Sequence, residues 1–139
     1  MLRGLCTVTL AADDLEAARA WYTELLGVQP YFAREHAGQL AYVEFRLGDH
    51  ADELGLLDRR FLPSGGPGAA ITYWAVDDVT EARRRLLELG ATEYLPVTEQ
   101  GPGFVTASVL DPFGNVVGVM ENQHYREAVE ALAAGGGAR

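Results

Sequence analysis

The chain has 139 residues, enough for one domain with a substantial core and too few for two independent ones. Its hydrophobic content of 48% and charged content of 22% are those of a globular protein that folds unaided, which excludes a disordered chain. The 11 basic residues are all Arg and face 20 acids for a net charge of −9, so neither nucleic acid nor a membrane surface is an expected partner, and the absent Lys excludes Schiff-base chemistry and the GxxxxGK[ST] phosphate loop.

Residues 5–12 alternate, with Cys6, Val8 and Leu10 on one face and Thr7, Thr9 and Ala11 on the other, the pattern of a half-buried strand. Asp13 or Asp14 then caps a helix whose stripe is Leu15, Ala18, Trp21, Tyr22 and Leu25 and whose stop is Gly27. Strands are expected over 30–34, 40–47 and 53–57, with turn chemistry at Gly38, Gly48 and Asp49. From Arg59 to Gly68 the periodicity breaks into a Pro- and Gly-rich connector. The order then restarts: a strand over 70–76, a helix over 78–89 stopped by Gly90, and strands over 92–98, 103–110 and 115–121. A last amphipathic helix, with Tyr125, Ala128, Val129 and Leu132 on one stripe, runs from Gln123 to about Ala133 and ends in glycines.

The unit β-α-β-β-β thus occurs twice, and a shift of 64 residues superposes Asp13 on Asp77, Asp14 on Asp78, Ala18 on Ala82, Arg19 on Arg83, Glu24 on Glu88 and Leu25 on Leu89. The expected fold is α+β: two tandem βαβββ modules, residues 3–58 and 69–121, joined by a connector at 59–68 and followed by a helix and tail at 122–139. Each module buries its helix on one sheet face, leaving the opposite faces to form a curved mixed sheet around a concave cleft.

Three local patterns resemble the vicinal oxygen chelate superfamily, the glyoxalase and bleomycin-resistance group. They are Val8-Thr9-Leu10-Ala11-Ala12-Asp13-Asp14-Leu15 followed by Trp21-Tyr22 and Leu26-Gly27; Trp74-Ala75-Val76-Asp77-Asp78-Val79; and Asp111-Pro112-Phe113-Gly114-Asn115. The resemblance implies paired βαβββ modules and, in the enzymes, one divalent metal held by His or Glu from the first and fourth strands of each module. At the corresponding positions this chain carries Thr7, Ile71 and Gly118, with Gly55 at the fourth and Glu53 two residues away. A divalent metal needs several converging donors, commonly imidazole or thiolate. No metal and no cofactor are therefore expected, and the chain resembles the metal-free members that bind bulky small molecules without transforming them. A homodimer is implied by the resemblance alone.

Strand parity places Thr7, Thr9, Tyr42, Glu44 and Leu57 of the first module, and Ile71, Tyr73, Phe104, Thr106, Ser108 and Met120 of the second, on the cleft side; Val8, Leu10, Trp74 and Val76 lie beneath the helices. These side chains make either a pocket for a flat or bulky organic ligand or a filled core. Glu44 reads either as a partner for a ligand cation, helped by Tyr42 or Tyr73, or as an exposed strand carboxylate paired with Arg46 or Arg34. Thr106 and Ser108 lack a visible His–Asp partnership and read as hydrogen-bond donors. His36 reads as a loop residue, His50 with Asp49, Asp52 and Glu53 as a solvated turn, and Cys6 as buried and inert.

The leading expectation is a metal-independent protein binding a neutral or cationic small molecule, with sequestration of an antibiotic or metabolite as one form of that role. Catalytic residues are not identifiable on this reading. The alternatives are a divergent isomerase, lyase or dioxygenase in which Glu44, Glu53, Glu121 or a His converge on a relocated metal, and a non-catalytic interaction domain with filled clefts. A lone cysteine allows no intramolecular disulfide, no N-terminal targeting pattern is seen, and no window of about 20 residues is continuously apolar, so a cytoplasmic location is expected.

Overall fold

The computed structural model describes residues 7–61 and 71–135. They fall into two compact units, one within Met1–Ala70 with Phe113–Asn115 and the other within Ile71–Pro112 with Val116–Arg139. Cys6, Ala70 and the Pro- and Gly-rich stretch of the connector lie outside the described residues.

The first unit runs β1 (Thr7–Ala12), α1 (Leu15–Leu26), β2 (Phe32–His36), β3 (Gln39–Leu47) and β4 (Asp52–Asp58), closed by a short 3₁₀ turn at Arg59–Phe61. Its sheet has the order β1-β4-β3-β2, with β1 parallel to β4 and the other pairs antiparallel. Asp14 caps α1 by accepting the Ala17 N–H at 3.0 Å, and Gly27, at φ 68°, takes the left-handed conformation that ends the helix. The α1 stripe packs Leu15, Ala18 and Tyr22 against the sheet face carrying Val43, Phe45, Leu54 and Leu56, all nearly inaccessible to solvent. The turn segment Phe113–Asn115 belongs to this unit: Asn115 both donates to the Ala11 carbonyl at 2.7 Å and accepts the Ala11 N–H at 3.2 Å.

β2 begins two residues later than the sequence pattern suggests. Pro30 has no N–H to offer a ladder, although the Tyr31 N–H already reaches the Glu44 carbonyl at 3.0 Å. Ala37 and Gly38, both at positive φ, form the two-residue reversal into β3, so His36 is the last ladder residue of β2, opposite Gln39. The loop assignment for His36 is thereby corrected.

The second unit runs β5 (Thr72–Ala75), α2 (Val79–Glu88), β6 (Thr92–Gly101), β7 (Phe104–Leu110), β8 (Val116–Asn122) and α3 (Gln123–Ala134), with sheet order β5-β8-β7-β6 and β5 parallel to β8. Asp78 repeats the capping of Asp14, accepting the Glu81 N–H at 3.0 Å, while Glu121 accepts the Val79 N–H at 3.0 Å. Val79 and Leu86 of α2 are buried, as are Ala107, Val109, Val117 and Val119 on the sheet face that α2 covers. β6 extends three residues beyond its expected end, and its register shifts between Glu93 and Leu95 and again between Leu95 and Thr98, a stretch that includes Pro96. Each unit is therefore a βαβββ module with its own four-stranded mixed sheet, and α3 follows the second.

Candidate functional site

The register of the first sheet brings Thr7, Thr9, Glu53, Gly55, Leu57, Tyr42 and Glu44 onto the face opposite α1. Phe32 stands opposite Glu44 and Arg34 opposite Tyr42, so β2 continues the same face. A groove of about 500 Å³ opens here, bounded by Tyr31, Phe32, Tyr42, Glu44, Leu57 and Phe61, with His36 and Arg34 also on its wall. Its aromatic rings are mutually tilted: Phe32 and Tyr42 have centroids 6.3 Å apart, and the His36 ring meets Phe61 edge-on at 5.4 Å.

Glu44 is the polar centre of this wall. At 9% exposure it is buried, and both carboxylate oxygens are engaged, Oε1 by the Tyr31 hydroxyl and Oε2 by the Tyr42 hydroxyl. The exposed-carboxylate reading is therefore overturned, because Tyr31, just before β2, and Tyr42 of β3 cover the position. Arg46, one of its expected partners, instead approaches Glu53 at 3.7 Å and lies over the Tyr31 ring at 4.2 Å. Arg34 lies over Phe32 at 5.6 Å.

The hydroxyl of Tyr31, then that of Tyr42, holds the Glu44 carboxyl below the usual carboxylate range, against the opposing pull of burial. The phenols move the other way: the Glu44 hydrogen bond raises Tyr31, and burial followed by the Glu44 bond raises Tyr42. With both phenols shifted upward and Glu53 also beside Glu44, neither tyrosine is set up to supply a phenolate base or nucleophile at neutral pH. A carboxylate with a depressed pKa contributes stability that is complete above the unfolded value of about 4.3 and is lost as pH falls through the lower folded value. The stability difference between the wild type and Glu44→Gln, followed by urea denaturation, is expected to be flat from pH 8 to about 5 and to shrink only below about 4. A wild-type advantage that grows as pH falls from 7 to 5 would show that the folded carboxyl is raised instead.

The remaining predicted site residues occupy other surroundings. Thr7 and Thr9 are exposed on the same face outside the groove, with Thr7 Oγ1 donating to Glu53 at 3.4 Å. In the second sheet, Tyr73, Phe104, Thr106, Ser108, Gly118 and Met120 share the face opposite α2. Ser108 is 1% exposed, and its hydroxyl has no hydrogen-bond partner among the described residues. Thr106 accepts from Gln100 at 3.1 Å, Phe104 meets the His124 ring at 5.0 Å, and Ile71 is exposed just before β5. Tyr31, Phe32, Arg34, Glu35, His36, Ala41 and Phe61 line the groove without having been among the expected ligand-binding residues, although Arg34 and His36 were weighed in other roles.

At two of the positions that the resemblance assigns to metal ligands, Gly55 and Gly118, there is no room for a ligand side chain. A Cβ at Gly55 would stand 2.8 Å from Tyr42 ring carbons, and one at Gly118 would stand 2.6 Å from Tyr73 Cδ1, so tyrosine rings occupy the space where ligand side chains would begin. Glu121 projects to the α2 face and caps that helix. Among the described residues no group of three or more His, Cys, Asp or Glu is placed to hold a metal ion.

Two βαβββ units of this topology define the paired-module fold class. The chain belongs to the Glyoxalase/Bleomycin resistance protein/Dioxygenase superfamily, whose description matches residues 4–119. Its fold is similar to that of a superfamily member from Sphaerobacter thermophilus DSM 20745, with 21% identity over 87% of this chain and 98% of that one and a TM-score of 0.69. TnmS3, an antibiotic binding protein from Streptomyces sp. CB03234, is 24% identical over 85% of this chain and 94% of that one, with a TM-score of 0.63. A lactoylglutathione lyase from Agrobacterium tumefaciens is 24% identical over 88% of this chain and 96% of that one, with a TM-score of 0.64. At these identities the likeness shows the fold alone. A comparison with curated proteins gave no match. No helix among the described residues is long and apolar enough to cross a membrane.

Proposed function

We propose that the protein binds a small organic molecule without a metal, with the groove on the first sheet as its site. The observation that carries this reading is Glu44, a buried carboxylate among the groove's aromatic side chains. An ionised carboxylate has about four acceptor positions, and the two phenols occupy two of them. The others are available to a ligand ammonium or N–H, and the flanking rings add cation–π attraction and apolar contact. A net charge of −9 favours a neutral or cationic molecule on approach. Sequestration of an antibiotic or metabolite is the biological form of this reading, which includes a cytoplasmic location and a homodimer.

The tyrosine rings over Gly55 and Gly118 support metal independence, since a ligand side chain at either position requires a ring to leave. Native mass spectrometry joined to elemental analysis, on protein purified without chelator, tests the proposal. The expected result is substoichiometric divalent metal together with a copurified organic mass that the Glu44→Gln variant no longer retains. A stoichiometric metal overturns the metal-free reading, and an organic mass retained equally by Glu44→Gln overturns the assignment of the site.

A further inference from the structure

Arg34 is conspicuous in a chain with nearly twice as many acids as arginines. Arg19, Arg46, Arg59, Arg60, Arg83, Arg84 and Arg126 each approach a carboxylate within 4 Å. Among the described residues Arg34 meets no acid and makes no side-chain hydrogen bond; its contact is the face of Phe32, 5.6 Å from guanidinium carbon to ring centroid. It also lines the groove. A guanidinium stacked on an aromatic ring keeps its N–H edge free for a planar acceptor, and a carboxylate matches that fork.

The sheet register fixes where this cation lies relative to Glu44. Phe32 is directly opposite Glu44 and Arg34 directly opposite Tyr42, so Arg34 and Glu44 are diagonal neighbours on one face. Their Cβ atoms are about 7–8 Å apart in such a pair. Among the charged residues lining the groove, Glu35, Arg34 and Glu44, the buried anion Glu44 and the solvent-open cation Arg34 thus share one face of the sheet.

Resting on the reading of this groove as the ligand site, we propose that it takes a planar amphoteric molecule. The ligand's ammonium or N–H end meets Glu44, its carboxylate or other acidic end meets Arg34, and its flat faces lie against Phe32 and Tyr42. The acidic end is the new element, because the net charge of −9 by itself disfavours a ligand anion. Arg34 makes the groove discriminate among amines by what they carry at the far end.

Four probes built on one ring separate the contributions: para-aminomethylbenzoate, benzylamine, benzoate and benzyl alcohol. Each is titrated into the full chain and followed by NMR chemical-shift changes at millimolar concentration. Para-aminomethylbenzoate is expected to bind about tenfold tighter than benzylamine, with benzoate and benzyl alcohol weaker than either. Arg34→Gln, which alters an exposed edge-strand side chain, is expected to bring para-aminomethylbenzoate down to benzylamine's affinity; Glu44→Gln is expected to weaken both amines. Equal affinity of the two amines for the wild type, or a tenfold preference that survives Arg34→Gln, overturns the amphoteric ligand while leaving the groove as a site for amines. Failure of all four probes to bind overturns the groove as the ligand site.

Discussion

Replacing Phe45 by alanine is expected to cost about 3–5 kcal/mol of folding stability, the range for truncating a fully buried aromatic. Phe45 is 0% exposed, sits in the nine-residue strand β3 and faces Leu54 across the ladder, beneath α1. The cavity left behind cannot collapse easily, because Tyr22, Val43 and Leu56 around it are held by a helix and two paired strands. With domains typically stable by about 5–15 kcal/mol, the variant should unfold at a much lower urea midpoint with an unchanged slope. A loss below about 1 kcal/mol would show that α1 does not close over this face. The adjacent residue gives the contrast: Glu44 points to the opposite face, so Glu44→Gln should act mainly on ligand binding. Two neighbouring positions on one strand thereby separate the core side of the sheet from the groove side.

That separation was legible in the sequence because a strand's side chains alternate strictly. Val43 and Phe45 differ in parity from Tyr42 and Glu44, and the register confirms the two sets on opposite faces. The helix ends were legible for an equally local reason, since the Asp14 and Asp78 carboxylates have few better uses than the free amides three residues ahead. What local patterns could not supply was the covering of Glu44. Tyr31 lies outside every regular element, and its hydroxyl reaches Glu44 only because β2 folds back antiparallel on β3. Phe61 enters the groove from a 3₁₀ turn inside a stretch that reads as a featureless connector, and His36 enters because the reversal falls at Ala37 and Gly38. The available signal was the density of aromatics within residues 31–42, which marks an apolar surface without saying which face it lines. Charge neutralisation was similarly non-local: Arg46 was an equally good sequence partner for Glu44 or Glu53, and parity alone does not choose between them.

Gly55→Ala is expected to destabilise the protein by about 1–3 kcal/mol and to weaken ligand binding, through a side chain thirteen positions away. The added Cβ would lie 2.8 Å from the Tyr42 ring carbons, so the ring must swing off the sheet and its hydroxyl must leave Glu44. A buried carboxylate losing one of its donors costs about 1–3 kcal/mol. Gly55 has no positive φ to protect, and alanine is intrinsically better than glycine in a strand by roughly 0.5–1 kcal/mol. In a Tyr42→Ala background, therefore, Gly55→Ala should become neutral or slightly stabilising, a change of sign that a double-mutant cycle reads directly. Gly118 behaves differently although Tyr73 covers it in the same way. There a Cβ would also stand 2.9 Å from the Thr72 carbonyl oxygen, a backbone atom of the neighbouring parallel strand. Gly118→Ala should therefore remain destabilising after Tyr73→Ala. If Gly55→Ala cost as much with Tyr42 removed as with it present, the tyrosine would not be what fills the space above that glycine, and the steric argument against a metal ligand on β4 would fall with it.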